Sequence, residues 1–336
     1  MSSMNTDIHK IAIVRLSALG DIVNSAVVLQ FIKQFYPHVK IDWITEEMFA
    51  PLLENHPSLN SVHTLNLKKF KKEKSFALLW ENIQKARSFG SYDLVIDMQG
   101  LLKSSIVARV VSPKTHGFDK ESTRESIASF FYKTASHIAY DKNVVRRNCF
   151  VVSDALKFHI TDDMILNKQA IFPIQKEFSL KNKKKNILLV IGASWQSKIY
   201  PKELLLKVCE SLDATFYIVW GNKIEKSDAE WMENRAENIH LAPKLSLSEL
   251  VSYISAMDLV IGNDTGPTHM AWAQNIPSIT LFGPTNERMI YETEKNLSIK
   301  SNSKVDIFKI NKNDFSIKDI SPQLITTTAQ RLLNGL

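Results

Sequence analysis

Polar residues that could do chemistry recur in this chain at one kind of place, the turn where an apolar run gives way to a helical pattern. The sharpest case is LVIGNDTGPTHMAWA, Leu259 to Ala273. Leu259, Val260 and Ile261 read as a buried strand ended by Gly262. Asn263, Asp264 and Thr265 are helix-capping types. Pro267 suits a first helical turn, where its missing N–H has no partner to lose. Gly266 lets a ligand approach the backbone closely. A strand feeding a helix through small residues leaves open N–H groups at the positive end of a helix dipole, and both favour phosphate. Taken alone, the pattern fits a capped helix after a core strand better than a site.

A second turn of this kind follows IAIVRL, Ile11 to Leu16, a β-rich run typical of a parallel strand buried on both faces. SALGD, Ser17 to Asp21, then leads into a helical pattern that runs to Tyr36. The turn holds one glycine, Gly20, so the dinucleotide fingerprint G-x-G-x-x-G is absent. It places Asp21 at a helix N-terminus on the carboxyl side of a strand, the edge at which open α/β sheets bind ligands. The competing reading of Asp21 is an N-cap. Gln99, Gly100 and Lys103 lie at a third such turn, between a strand at Tyr92–Asp97 and a helix at Leu101–Val111.

The elements that must position these residues alternate. The first half adds strands at Val39–Thr45, Ser61–Leu67 and His116–Phe118, and helices at Ser75–Phe89 and Asn143–Phe158. STRESIASFFYKTA reads as a further helix with Arg124 in its first turn. The second half begins with a strand at Asn186–Gly192 and a loop carrying Ser194 and Lys198, then a helix at Lys202–Leu212. A strand at Ala214–Gly221 ends in Trp220-Gly221, with a helix near Glu225. A loop holding Lys244 and Leu245 precedes a helix capped by Ser246, with Glu249 at the capping-box position. After the opening motif come a strand within Ile276–Asn286 and a terminal helix at Ser321–Asn334, with Ser321 as its cap.

Strands and helices at this spacing predict doubly wound parallel sheets in two α/β halves. Residues 160–186, with Pro173 and the lysines 181, 183, 184 and 185, read as the link. The expected division is residues 1–165 and 166–320, with a terminal helix, 321–336, that could cross back to the first domain. In the second half four polar loops converge on one sheet edge: Ser194 and Lys198; Gly221 and Glu225; Lys244; and Asp264 to His269.

Composition narrows the class. The 336 residues are 44% hydrophobic and 23% charged, ordinary for a globular chain of two domains. No apolar run approaches the length of a membrane span. MSSMNTDIHK lacks the apolar core of a signal peptide, which predicts a cytoplasmic protein. Cys149 and Cys209 are far apart in apolar surroundings, so buried reduced thiols are expected. The net charge of +7 is uneven: residues 1–170 carry 22 basic and 17 acidic side chains, and the remainder 20 and 18. The densest run is KKFKKEK, Lys68 to Lys74, readable as a solvated loop or as a surface for anionic lipid. No nucleic-acid-binding signature is present. No D-x-D triplet occurs, so neither a metal-bridged diphosphate nor a cofactor is expected.

The segments SALGD, DMQGLLKS (Asp97–Ser104), HGFD (His116–Asp119), TRESIASFFY (Thr123–Tyr132), WG (Trp220–Gly221), PKLSL (Pro243–Leu247), NDTGPTH (Asn263–His269) and GPTN together resemble the lipopolysaccharide heptosyltransferases. The resemblance is nearest to heptosyltransferase I, with heptosyltransferase II as the alternative. It implies a GT-B glycosyltransferase, with two Rossmann-like domains facing a cleft: an N-terminal acceptor domain and a C-terminal nucleotide-sugar domain. The implied reaction is inverting, metal-independent transfer of heptose from ADP-heptose to the Kdo of Kdo-lipid A. A non-catalytic nucleotide-binding partner protein is the reading from another class.

Carried over residue by residue, the resemblance makes Asp21 the general base and sets Lys198 at the donor phosphates. It sets Glu225 at the donor ribose, Lys244 and Leu245 at the adenosine, Asp264 at the heptose hydroxyls and His269 at the phosphate region. Ser194, Trp220, Gly221, Thr265 and Gly266 complete the donor set. Ser17, Gly20, Gln99, Lys103, Arg124, Lys68 and Lys72 form the acceptor set, which would meet Kdo carboxylates and lipid A phosphates. The resemblance further implies a monomer held against the cytoplasmic face of the inner membrane. The chain departs from the family pattern at Arg15, where lysine is common, and at Ala193, Ser194, Trp195 and Tyr200 in the loop around Lys198. It also departs at Pro267 and Thr268, which stand for a Leu-Ser pair.

Overall fold

A computed structural model describes residues 8–180 and 183–335. The N-terminal stretch up to Asp7 and Lys181 lie outside them. Contacts divide the chain into two units, changing over between Pro173 and Ile174. The changeover lies inside the stretch read as a link, eight residues beyond the boundary drawn from sequence. Hydrogen bonds explain the shift. The Gln169 N–H donates to Gln30 Oε1 at 2.9 Å, and His56 Nε2 meets the Ile171 carbonyl at 2.8 Å, tying this segment to the first unit.

The first unit holds six strands: β1 (Lys10–Val14), β2 (Lys40–Glu46), β3 (Ser61–Leu65), β4 (Leu94–Asp97), β5 (Thr115–Phe118) and β6 (Thr134–Ser136). All neighbours are parallel, in the order β3-β2-β1-β4-β5-β6. The second holds β7 (Lys185–Val190), β8 (Ala214–Val219), β9 (Ile239–Leu241), β10 (Leu259–Asn263), β11 (Ser278–Phe282) and β12 (Asn296–Lys300). These are also parallel, in the order β12-β11-β10-β7-β8-β9. Counted from its own first strand, each sheet has the same order, 3-2-1-4-5-6. The winding reverses between β1 and β4 in one sheet and between β7 and β10 in the other. Ligands of such sheets bind outside the carboxyl ends of the strands at that reversal.

The central strands form because their runs are apolar and β-branched. Ile11, Ala12, Ile13 and Val14 are fully buried, as are Ile187, Leu188, Leu189, Leu259, Val260 and Ile261. At Gly262 a Cβ would lie 2.5 Å from Val190 Cβ and 2.7 Å from Thr268 Oγ1, so only glycine fits where β10 leaves the sheet. The terminal helix Pro322–Leu333, set apart in the sequence reading, packs on the helix Lys202–Glu210 and on β10 and β11, inside the second unit's core. Ser321 is its N-cap residue, but its side chain makes no cap bond. Both cysteines are buried and free. Among the described residues no helix is long and apolar enough to cross a membrane.

Three expectations need correction. The Lys68–Lys74 run is not a loop. Residues Leu67–Glu73 form a helix that ends on left-handed Lys74. STRESIASFFYKTA is not a regular helix. A 3-10 turn covers Ser126–Phe131, and β6 follows. Its side chains bond elsewhere: Glu125 Oε2 accepts the Leu102 N–H at 2.7 Å, and Ser122 Oγ accepts the Ile138 N–H at 2.8 Å. Such bonds compete with the helical ladder. The expected helix after Asp21 is two, Leu19–Ala26 and Val28–Phe35, divided at Val27.

Candidate active site

In the first unit the reversal point gathers the ends of β1, β2 and β4. Asp21 lies in the first turn of helix Leu19–Ala26 at the third helical position, with Ala18 rather than Asp21 as the N-cap residue. Its Oδ2 accepts the Ala18 N–H at 3.1 Å. Its Oδ1 pairs with the Arg15 guanidinium at 2.8 Å, and the Asp21 side chain keeps 27% exposure. Arg15 is itself held from behind, donating to the Met98 carbonyl at the end of β4. Each oxygen thus has one partner, and the partial exposure leaves further lone pairs within reach of a proton donor.

Gln99 binds this turn to the next one. Its Oε1 accepts the N–H groups of Leu16 at 2.8 Å and Ser17 at 3.3 Å, while its buried Nε2 has no partner among the described residues. Asp97, fully buried, shapes the Gln99 turn by accepting the N–H groups of Gln99 and Gly100 and the Tyr132 hydroxyl at 2.7 Å. Burial pushes the Asp97 carboxyl up, and those donors oppose the shift. Lys103 Nζ reaches Ser17 Oγ at 3.0 Å. Partial burial lowers the Lys103 ammonium, with Glu46 opposing that shift and Lys68 and Lys71 adding to it. Burial likewise raises the Glu46 carboxyl, against the pull of the Lys68 N–H and of Lys103. Glu46 closes β2 with one oxygen on the Lys68 N–H and the other unpartnered among the described residues.

The structure therefore gathers Ser17, Gly20, Asp21, Gln99, Lys103 and Lys68 around one edge. Lys68 Nζ lies 2.9 Å from Met48 Sδ and 4.9 Å from the centre of the Phe49 ring. Lys72 is exposed in the last turn of its helix. Arg124 is exposed in the bend before the 3-10 turn, beside the Glu125 that caps Lys103's helix.

The second unit's reversal point is drier. Lys198 Nζ pairs with Asp264 Oδ2 at 2.7 Å, and His269 Nε2 meets Asp264 Oδ1 at 3.1 Å. The Lys198, Asp264 and His269 side chains are 9%, 5% and 4% exposed. Burial alone would raise the Asp264 carboxyl, but Lys198 and His269 outweigh it and hold the group well below the usual carboxylate range. Asp264 and Asn263 therefore do not cap the helix Gly266–Ala273, as their types suggested. Asn263 instead accepts the Tyr200 N–H at 3.0 Å and donates to the Ile191 carbonyl at 2.9 Å, pinning the Lys198 loop to β10. Thr265 is the N-cap residue without a side-chain cap bond. In the first turn Pro267 has no N–H and that of His269 reaches the Thr265 carbonyl at 3.2 Å. Gly266 and Thr268 supply the remaining donors of this end.

A third cluster sits at the end of β8. Glu225 accepts the Gly221 N–H at 2.6 Å and the Asn222 side-chain amide at 2.7 Å. Its carboxylate lies against Gly192, where a Cβ would stand 2.3 Å from Oε1. Any larger residue at the exit of β7 would displace it. Lys244 Nζ donates to the Gly221 carbonyl at 2.9 Å and lies 4.5 Å from the centre of the Trp220 ring. Trp220 Nε1 donates to the Ala242 carbonyl at 2.9 Å, fixing the indole plane. Leu245 is half-buried beside Lys244, and Ser194 is exposed on the Lys198 loop.

Sequence reasoning had not singled out Glu46, Asp97, Tyr132 or Asn222. Asp97 carried a signal, since it ends a strand at the same edge as Asp21. The buried Trp195 Nε1, Ser197 Oγ and Thr285 Oγ1 have no partner among the described residues, and all three lie on loops after β7 or β11.

Residues 81–314 match the model of glycosyltransferase family 9 (heptosyltransferase). The chain is 40% identical over 342 residues to lipopolysaccharide heptosyltransferase 1 of Campylobacter coli, covering 96% of this chain and 98% of that one. It is 26% identical to the Escherichia coli K12 protein of the same name, over 90% and 96% of the two chains. The Escherichia coli heptosyltransferase WaaC, solved with ADP-2-deoxy-2-fluoro heptose, superposes with a TM-score of 0.79 at 21% identity, over 96% and 99% of the chains. The shared fold and the identity along nearly the whole length leave one assignment: this chain belongs to glycosyltransferase family 9, the heptosyltransferases.

Proposed function

We propose that the protein is a heptosyltransferase I, transferring heptose from ADP-heptose to the Kdo of Kdo-lipid A with inversion and without a metal. The observation that carries the catalytic part is the partly exposed Asp21 carboxylate at a sheet reversal. A protein that only binds nucleotide has no use for a base there. In the transfer, the Kdo hydroxyl oxygen forms a bond to the anomeric carbon as the bond from that carbon to ADP breaks. The hydroxyl proton passes to Asp21, and the bonding pair leaves with the diphosphate. Arg15 holds Asp21 oriented through this step. The sugar carbon bears oxocarbenium character, and negative charge grows on ADP. Lys198 and the open end of the helix beginning at Gly266 receive that charge.

On this reading the first unit takes the acceptor and the second the donor. Glu225 accepts from the ribose hydroxyls, and Trp220, Lys244 and Leu245 border the adenine. Asp264 and His269 set Lys198 in place and face the heptose and the phosphates. Ser17, Gln99, Lys103 and Arg124 bind Kdo, and the helix Leu67–Glu73 lies against the anionic face of the inner membrane through Lys68 and Lys72. The test is transfer from ADP-heptose to Kdo-lipid A and, separately, to heptosyl-Kdo-lipid A, read by product mass. One added heptose on the first acceptor alone is expected. Product on the second alone means a heptosyltransferase II, and product on neither means a non-catalytic binder.

A further inference from the structure

A second feature of the first unit lies beside the Asp21 crevice. The helices Leu67–Glu73, Phe76–Arg87 and Leu102–Val111 line, with the end of β3, a half-open cavity of about 290 Å³. Its wall is apolar: Leu65, Phe70, Leu79, Ile83, Val107 and Val110 among others. Asn82 reaches the wall but spends its polar atoms on backbone, accepting the Asn66 N–H at 2.7 Å and donating to the Leu78 carbonyl at 2.7 Å. An apolar pocket whose polar neighbours are already satisfied gains by exchanging water for hydrocarbon.

Two cations stand on this wall, Lys71 and Lys103. Lys103 belongs to both places, since its ammonium bonds Ser17 Oγ in the crevice while its side chain lines the cavity. The helix roofing the cavity turns Leu67, Phe70 and Lys71 into its wall and carries Lys68, Lys69 and Lys72 beside them. The next helix leaves Phe76 and Trp80 exposed, at 86% and 60%, one turn apart. Exposed aromatics beside lysines suit a lipid–water boundary.

We infer that this cavity binds one acyl chain of the acceptor lipid, with Lys71 and Lys103 pairing the phosphate or carboxylate groups of the same molecule. The inference rests on reading the first unit as the acceptor unit and adds what it recognises: an anionic amphiphile, not its sugar alone. Burying the chain holds the amphiphile while Lys103 spans from the chain to the reacting sugar. Acylated acceptors therefore gain affinity that deacylated ones lack.

Dodecyl phosphate, kept below its micelle concentration and titrated into the full chain, tests this directly. It is expected to bind about tenfold more tightly than either inorganic phosphate or dodecyl maltoside, because it alone brings both chain and charge. Ile106, 40% exposed on the wall, is the place to fill the cavity without disturbing the core. Ile106→Trp should bring dodecyl phosphate down to the affinity of inorganic phosphate with an unchanged thermal midpoint. Should that variant unfold, Lys71→Glu gives the same answer from the surface, weakening dodecyl phosphate about tenfold and leaving dodecyl maltoside unaffected. In the transfer assay Ile106→Trp should raise KM for acylated acceptor about tenfold and leave KM for deacylated acceptor unchanged. Equal binding of dodecyl phosphate and inorganic phosphate to the wild type overturns the inference, as does a folded Ile106→Trp that retains the difference. Transfer to neither acceptor, with dodecyl phosphate still bound and lost in Ile106→Trp, leaves the inference standing and removes the assigned reaction.

Discussion

The two units place a carboxylate paired to a cation at the same topological point of the same sheet, yet they treat it differently. Asp21 keeps 27% of its side chain in solvent and shares only one oxygen with Arg15. Asp264 keeps 5% and is gripped by Lys198 on one oxygen and His269 on the other. A carboxylate that must accept a proton needs a free lone pair and a path to it. A carboxylate that must hold two neighbours rigid needs neither, and burial strengthens its grip. Winding order thus supplies the place, and the depth of the side chain decides the task.

The contrast should be largest in stability. Asp264→Ala leaves the Lys198 ammonium buried without its partner, which should cost about 3–5 kcal/mol. Asp21→Ala should cost less, about 1–3 kcal/mol, because the Asp21 carboxylate is itself partly in solvent and the buried Arg15 guanidinium keeps the Met98 carbonyl. Urea denaturation of the two variants checks this, and equal losses would remove the distinction. Next in size is the loss of turnover in Lys198→Met, about a hundredfold in kcat if the ammonium meets charge that grows only in the transition state. A rise in KM alone would place Lys198 in ground-state binding.

The third way uses pH. The Asp264 carboxyl titrates below the ordinary value of 3.8 in the fold. Its ion pairs therefore contribute fully above that value, and the contribution is lost as pH falls below it. Denaturation midpoints of the wild type should drop more steeply below about pH 4 than those of Asp264→Asn. Parallel curves would contradict the assignment. The smallest expected effect is at the third cluster. Glu225→Gln keeps the Gly221 N–H bond but lowers the charge facing the ribose, so KM for donor should rise about threefold to tenfold with kcat near wild type.

The sequence made the two crevices legible in unequal parts. β1, β4, β7 and β10 were readable because each is buried on both faces and so is apolar along its length. β12, NLSIK, and β6, TAS, passed unnoticed: both are edge strands, short and partly polar, with little hydrophobic pattern to find. Asp21, Lys198, Asp264 and His269 could be picked out as polar residues in the turns and first helical turns that follow strands. Their pairing could not be, since Lys198 and Asp264 are 66 residues apart and meet only through the crossing from β7 to β10. The same limit hid Glu46, whose neighbours Lys68 and Lys103 come from two other elements. The basic run was misjudged for a local reason. Leu67 and Phe70 sit three apart among lysines, too few apolar residues to announce a helix, yet enough to bury one side of it.

Whether Asp21 is the base is read most directly from kcat of Asp21→Asn. The amide keeps the shape and a hydrogen-bonding oxygen but cannot take the proton. If Asp21 takes the proton, kcat falls about a thousandfold, with KM for both substrates and the thermal midpoint near wild type. A variant that turns over within a few-fold of the wild type would contradict it.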